Sequence, residues 1–134
     1  MSYLLDTNIV LYQFADIPDA VSLVSRLAPQ GIAMSIITYM ELYQSTLRAP
    51  DPAHAQAQLR AYLSSVPVLP FSDAEARQCA TLRQDLAAQG KRVRPRALDL
   101  LIAATALEND LTLVTRNHQD FDDIPGLKTH FYQP

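Results

Sequence analysis

The stretch Tyr3-Leu4-Leu5-Asp6-Thr7-Asn8 is a short apolar run that ends in a carboxylate and is followed by residues that often start helices. A run of this kind predicts a buried strand of a parallel sheet, with Asp6 at its carboxyl end. In open parallel sheets, ligands and reacting groups lie at that end. Asp, Thr and Asn are also common helix caps, so the stretch alone leaves open whether Asp6 is a cap or a functional acid.

Length and composition indicate a globular chain that forms a single domain over residues 1–134. The chain is 49% hydrophobic and 19% charged, and its net charge of −3 argues mildly against a protein that simply coats nucleic acid. The single cysteine, Cys79, falls among the apolar positions of a predicted helix and indicates a core residue in a reducing compartment. No run approaches the ~18 apolar residues of a membrane span. We therefore expect a cytoplasmic protein without a membrane partner.

Strands and helices alternate along the rest of the chain. Apolar runs predict further strands at 32–36, 66–71, 111–115 and 129–132. The run 66–71 contains two prolines, which predicts an edge strand. Residues at helical spacing fill the intervals between these runs. The alternation predicts an α/β fold with a mostly parallel twisted sheet and helices on both faces.

Two stretches have the Ser/Thr-x-x-Glu form of a capping box, in which the first and last residues bond each other's backbone at a helix start. Thr38-Tyr39-Met40-Glu41 follows the second predicted strand, which would place Glu41 in the first turn of the next helix. Ser72-Asp73-Ala74-Glu75 begins a later helix. A plain capping role therefore stands beside a functional role for Glu41.

Acidic residues recur where predicted strands end or the following helices begin. The four in such places are Asp6, Glu41, Asp99 and Asp120. Because parallel strands end at one edge of a sheet, the acids that follow strands should meet there. Asp99 lies at the start of a nearly apolar helix that leads back into the strand 111–115, so we expect it at the same edge. The helix dipole offers a simpler explanation for an acid in a first turn.

Carboxylates gathered at one place repel each other unless a cation lies between them. Oxygen ligands without Cys or clustered His suit Mg²⁺ or Mn²⁺, and one or two such ions can polarise a phosphodiester and activate water. The polar neighbours that could orient the acids or hold the water are Thr7, Asn8, Thr115 and Asn117.

Residues 91–96 contain four of the chain's eleven basic residues and show no helix or strand pattern. They predict an exposed basic loop. A solvated rim is the usual role of such a loop, and a binding surface is the alternative.

The motifs, taken in order, resemble the PIN domain family of ribonucleases, and the short single-domain form resembles the VapC toxins of bacterial type II toxin–antitoxin modules. The stretches that carry the resemblance are Leu5-Asp6-Thr7-Asn8, Met40-Glu41-Leu42, 99–106 and 114–121. The resemblance implies a metal-dependent endoribonuclease that cuts structured RNA, is inhibited by a small antitoxin and usually forms a homodimer.

By this resemblance the acidic quartet is Asp6, Glu41, Asp99 and Asp120, with Asp6, Asp99 and Asp120 as the expected metal ligands. The neighbouring Asp122 and Asp123 leave the identity of the fourth acid open. The resemblance also makes Arg94, Arg96 and Arg116 candidates for binding RNA phosphates.

Three alternatives remain from the sequence. A DNA nuclease could use the same scaffold and the same ions. A non-enzymatic receiver-like module also gathers acids around Mg²⁺ at strand ends. In a catalytically silent binding partner, the acids would only cap helices.

Overall fold

The computed structural model describes residues 1–133 and contains a five-stranded sheet whose paired strands all run parallel. The strands are β1 (Tyr3–Leu5), β2 (Ile32–Ser35), β3 (Val68–Leu69), β4 (Thr112–Thr115) and β5 (Thr129–Phe131). Their order across the sheet is β3-β2-β1-β4-β5, so β1 lies at the centre and β3 at an edge, as its prolines predict. The parallel α/β fold is confirmed.

Helices connect the strands. They are α1 (Thr7–Phe14), α2 (Pro18–Leu27), α3 (Ile36–Leu47), α4 (Pro52–Leu63), α5 (Asp73–Ala88), α6 (Ala97–Glu108) and α7 (His118–Phe121). Short 3-10 turns precede β2, at Ala28–Gln30, and α6, at Arg94–Arg96. Among the described residues, no helix is both long enough and apolar enough to cross a membrane.

Alternate residues of the central strands point to opposite faces of the sheet and form two apolar layers. Leu4 and its register partner Leu113 pack under α5 and α6. Leu5 and its partner Val114 pack on the other face, under α1 and α2. All four side chains are fully buried, which explains why the sequences of these strands are continuously apolar. Helices therefore cover both faces, as predicted.

Helix α6 lies against the sheet and against α5. Its small residues Ala103, Ala104 and Ala106 are fully buried, and small side chains allow the helix to approach closely. Cys79 of α5 is 4% exposed, and its thiol lies 3.8 Å from the carbonyl oxygen of Leu100, so the expected core position is confirmed. Packing on both sides thus fixes the start of α6, where Asp99 lies.

Helix α3 begins three residues earlier than the capping-box motif predicts. Strand β2 ends at Ser35, and the Ser35 hydroxyl accepts a hydrogen bond of 3.0 Å from the Thr38 amide. Ser35 is therefore the cap, and the predicted capping box at Thr38 to Glu41 is wrong. Glu41 consequently lies in the second turn of α3, not in the first.

The second predicted capping box is confirmed. The backbone amide of Ser72 donates to Glu75 Oε1 at 2.9 Å, and the Ser72 hydroxyl bonds the same carboxylate oxygen. These bonds hold the first turn of α5.

Candidate active site

A cleft of about 180 Å³ lies at the carboxyl end of the central strand. Its walls are formed by Asp6, Thr7, Asn8, Leu11, Glu41, Gln44, Ser45, Arg48, Asp99 and Asn117. Three of the four predicted acids thus line one cleft. An open depression of about 310 Å³ adjoins it and contains Arg116 and Asp120; Asn117 lines both.

Asp6 caps a helix and also lines the cleft. It is the N-cap of α1, and its Oδ1 accepts from the Thr7 amide at 2.8 Å. Its Oδ2 accepts from the Thr115 hydroxyl at 2.7 Å, which ties β1 to the end of β4. Burial raises the pKa of Asp6, while these hydrogen bonds oppose the rise. Each oxygen keeps a lone pair for another partner, because a carboxylate oxygen has two.

Glu41 is held by a short chain of hydroxyl groups. The Thr7 hydroxyl donates to Glu41 Oε1 at 2.6 Å. The same oxygen of Thr7 lies 3.1 Å from the Thr38 hydroxyl. Since a hydroxyl has one proton to donate, Thr38 donates to Thr7 and Thr7 donates to Glu41. Neutral donors therefore fix the Glu41 carboxylate and leave its negative charge uncompensated.

Asp99 is half-buried in the first turn of α6. Burial raises its pKa to about 7, and the nearby charges of Asp6, Asp120 and Glu41 add to the rise. Asp99 thus lies within electrostatic reach of the other three predicted acids. A cation in the cleft would relieve this repulsion.

Asp120 lies in α7 beside the cleft, and its carboxylate receives a 3.2 Å contact from Arg92 Nη2. Asp123 is instead engaged by Arg96, whose guanidinium lowers the pKa of that carboxyl. Asp122 is exposed. Among the three adjacent acids, Asp120 is therefore the one whose charge acts on Asp6 and Asp99.

The basic segment 91–96 is only partly the exposed loop that the sequence predicts. Arg92 and Arg94 are exposed. Arg96 is 2% exposed and turns inward to Asp123, so the predicted exposure is wrong at this residue. The sequence could not indicate this, because Asp123 lies 27 residues further along the chain. A buried, paired guanidinium is not free to bind RNA phosphate.

Arg116 lies at the surface next to the cleft. Its Nη1 donates to the Tyr12 hydroxyl at 2.6 Å, and its Cζ lies 5.7 Å from the centre of the Tyr12 ring. An arginine held against an aromatic ring keeps its other donors available, because a guanidinium has five N–H groups.

Three polar residues that line the cleft are not predicted from the sequence: Gln44, Ser45 and Arg48. They follow Glu41 by three, four and seven positions, which places them on the same face of α3. This helical spacing from Glu41 would have predicted them. A capping box at Thr38 to Glu41 instead treats Glu41 as part of a helix start and does not point to its neighbours on α3. Arg48 brings a positive charge to a cleft that is otherwise acidic.

The side chains of the cleft have the donor chemistry of a Mg²⁺ or Mn²⁺ site but not yet its geometry. Among residues 1–133, no three His, Cys, Asp or Glu side chains are arranged to hold a metal ion as they stand. The raised pKa values of Asp6 and Asp99 show that the acids would gain from a cation. Asp120 Oδ1 contacts Arg92 and keeps a second lone pair, as the oxygens of Asp6 do. The residues therefore fit a divalent ion, provided that side chains adjust.

Comparison with known proteins agrees with this fold and cleft. Residues 3–127 match the PIN domain family, and the chain belongs to that family, among its VapC ribonucleases. It is 30% identical to the tRNA(fMet)-specific endonuclease VapC of Shigella flexneri over 96% of both chains. It is 33% identical to the ribonuclease VapC2 of Rickettsia felis over 95% of both chains.

A solved structure shows the same likeness in three dimensions. The chain superposes on a protein in the crystal structure of VapBC2 from Rickettsia felis bound to a promoter DNA fragment. The TM-score is 0.89 and the identity 31%, over 99% of this chain and 100% of the other.

Proposed function

We propose that this protein is the toxin of a toxin–antitoxin module: an endoribonuclease that hydrolyses phosphodiester bonds in structured RNA and is inhibited by an antitoxin. The acidic cleft at the centre of the sheet is the observation that carries the proposal. The relatives that match nearly the whole chain are named as VapC ribonucleases. A non-enzymatic receiver-like or silent module is not supported, since these relatives are enzymes.

Nucleases of this family generally depend on a divalent metal ion. We assign Asp6, Asp99 and Asp120 as the residues that would hold Mg²⁺ or Mn²⁺, as one or two ions. When bound, the ion supplies Lewis-acid polarisation of the phosphate and lowers the pKa of the attacking water. The Thr7 amide and the Thr115 hydroxyl orient Asp6 for this role.

Glu41 is our candidate for the group that accepts the proton of the attacking water. Its Oε1 is occupied by the Thr7 hydroxyl, so the second carboxylate oxygen is left to receive a proton. A positioned acid–base group of this kind contributes on the order of 10²–10⁴-fold to a rate. Asn8 and Asn117 line the cleft and can donate their side-chain amides to water or phosphate.

Arg48 and Arg116 are the candidates for binding RNA phosphates. Arg48 lines the cleft on one side, and Arg116 borders the adjoining depression on the other. An RNA strand bound by both arginines would pass over the acidic residues of the cleft. Arg94 is exposed and remains a candidate for a more distant phosphate. Such contacts supply affinity that weakens with salt.

The partners are an antitoxin and a second copy of the chain. The matching solved structures include toxin–antitoxin complexes, which supports the antitoxin. For the homodimer, the support is an exposed apolar stripe along α3, at Ile36, Met40, Tyr43 and Leu47. A homodimer predicts that Leu47→Asp lowers the molar mass measured by light scattering.

The first experiment is digestion of labelled total RNA and a tRNA pool by the purified protein. The arms contain Mg²⁺, Mn²⁺ or chelator, with Asp6→Asn as the matched variant and DNA of equal sequence as a second substrate. Discrete RNA fragments that require both metal and Asp6 are expected. Equal cutting of DNA would favour a general nuclease. Undiminished cutting by a folded Asp6→Asn protein would overturn the proposal.

A further inference from the structure

The guanidinium of Arg96 is the most completely engaged charged group in the described part of the chain. Its side chain is 1% exposed. Nε donates to the carbonyl oxygen of Arg92 at 2.7 Å, and Nη1 donates to that of Asp120 at 3.1 Å. Nη1 and Nη2 bind the two oxygens of Asp123 at 2.7 and 3.0 Å. One planar group therefore holds three separate points of the chain.

These contacts bridge the two elements that carry Asp99 and Asp120. Arg96 immediately precedes α6, whose first turn contains Asp99. Through the carbonyl of Asp120 and the carboxylate of Asp123 it holds the last turn of α7 and the residues that directly follow it. Helix α7 has only four residues and buries a single side chain, Phe121. A helix so short has little stability of its own, so its orientation depends on such tertiary contacts.

Arg96 also acts indirectly on the carboxylate of Asp120, through Arg92. Arg92, whose side chain contacts Asp120 Oδ1, has its own carbonyl fixed by Arg96 Nε. The backbone and the side-chain contact of Asp120 are thus both tied to one buried group. No other charged side chain within residues 1–133 connects the start of α6 with α7 in this way.

We infer that Arg96 is a positioning residue, which sets the distance of Asp120 from Asp99 through its bonds to Asp123 and to the Asp120 and Arg92 carbonyls. The inference rests on the proposed function, because it takes Asp120 as a metal ligand. It replaces the phosphate-binding role that the sequence suggested for Arg96. A bidentate guanidinium suits this task, since lysine cannot reproduce its planar fork.

The test compares Arg96→Lys with the wild-type protein in two measurements that need no RNA. Mn²⁺ affinity is measured by electron paramagnetic resonance, and amide hydrogen exchange is followed at residues 118–123. Loss of an outer partner of a metal ligand costs about 10–100-fold in metal affinity. We expect Mn²⁺ binding to weaken by about tenfold and exchange at the Asp120 and Asp122 amides to accelerate.

Leu59→Ala is the matched control for a general loss of stability. Leu59 is 2% exposed and belongs to the apolar layer that contains α1 and α2, not to the one under α6. This variant should unfold at a lower temperature yet bind Mn²⁺ like the wild type. Should Arg96→Lys fail to fold, Asp123→Asn serves in its place, because it weakens the grip on α7 while keeping the guanidinium.

The outcomes separate this inference from the proposed function. If wild-type protein binds no Mn²⁺ and cuts no RNA, the proposed function fails. If wild-type protein does both, and the Arg96 or Asp123 variant retains wild-type Mn²⁺ affinity and exchange at 118–123, the positioning role is overturned. The KM for RNA at saturating Mn²⁺ is a third measurement: weaker Mn²⁺ binding with an unchanged KM supports positioning and contradicts a phosphate contact.

Discussion

Two stretches of this chain share the Ser/Thr-x-x-Glu form, and the structure uses them differently. Ser72 and Glu75 bond each other and hold the first turn of α5. Thr38 and Glu41 do not, because Ser35 caps α3 three residues earlier. Glu41 instead accepts a hydrogen bond from Thr7, which lies 34 residues away in the sequence. A carboxylate that is not needed by its own helix is available to the cleft.

The electrostatic surroundings of Glu75 and Glu41 also differ. Hydrogen bonds from Ser72 lower the pKa of Glu75, so its charge is locally compensated. Glu41 lies near Asp6 and Asp99 and raises the pKa of both. The comparison teaches that a local motif identifies a helix start, whereas like charges gathered from distant elements identify the site.

The largest expected difference is in catalysis. Glu41→Gln should reduce the cleavage rate at least 10²-fold, because the acceptor of the water's proton is lost. Glu75→Gln should leave the rate unchanged and cost about 1 kcal/mol of stability by weakening the cap. Initial rates with saturating Mg²⁺ and thermal melts measure both. A strong loss of activity in Glu75→Gln would remove the distinction between the two glutamates.

Thr7→Val tests the hydroxyl chain that orients Glu41. Valine keeps the shape of the side chain and the backbone amide that bonds Asp6, but removes the proton donated to Glu41. We expect the cleavage rate to fall about 10-fold, as for the loss of an outer partner at other metal sites. The matched control is Ser72→Ala, which removes the corresponding hydroxyl beside Glu75. Equal rates for the two variants would show that Glu41 needs no such support.

Asp99 in the cleft and Glu75 at the start of α5 should make the free energy of unfolding depend on pH with opposite signs. The pKa of Asp99 rises from 3.8 to about 7, so the folded protein retains a proton that the unfolded chain releases between these values. Without metal, this contribution to stability is lost as pH rises through that window. Glu75, whose pKa is lowered, contributes stability that is lost as pH falls.

Asp99→Asn should therefore stabilise the metal-free protein above pH 7. The gain should be about 1 kcal/mol, because Asp99 is only half-buried and solvent screens its charge. Melting curves from pH 5 to 8, with and without Mg²⁺, measure this. Mg²⁺ should stabilise the wild type more than the variant, since the ion binds the folded state through this carboxylate. A variant that melts lower at every pH would contradict the assignment.

The smallest expected difference separates the true cap from the false one. Ser35→Ala should cost about 1 kcal/mol, because the Thr38 amide loses its acceptor. Thr38→Val should cost about half as much, since it removes one hydroxyl contact and keeps the side-chain shape. Urea denaturation of both variants decides the matter. The reverse order would restore Thr38 as the cap.

Features of the fold that depend on neighbouring residues are predicted from the sequence, whereas those that depend on residues far apart in the chain are not. The strand before Asp6 and the apolar helix after Asp99 are marked by continuous runs, which local patterns describe well. The start of α3 differs from the prediction because Ile36 continues the apolar run of β2, although Ser35 ends the strand. The burial of Arg96 depends on Asp123, which no periodic pattern connects to it.

The central position of β1 has a consequence for how the protein is made. Asp6 leaves the ribosome before Thr115, and the bond between them joins residues 109 positions apart. Contacts of such long sequence separation form late, because a long loop must close before they can be made. A nascent chain without Thr115 cannot complete the surroundings of Asp6. The cleft of this nuclease therefore assembles only after β4 has been translated.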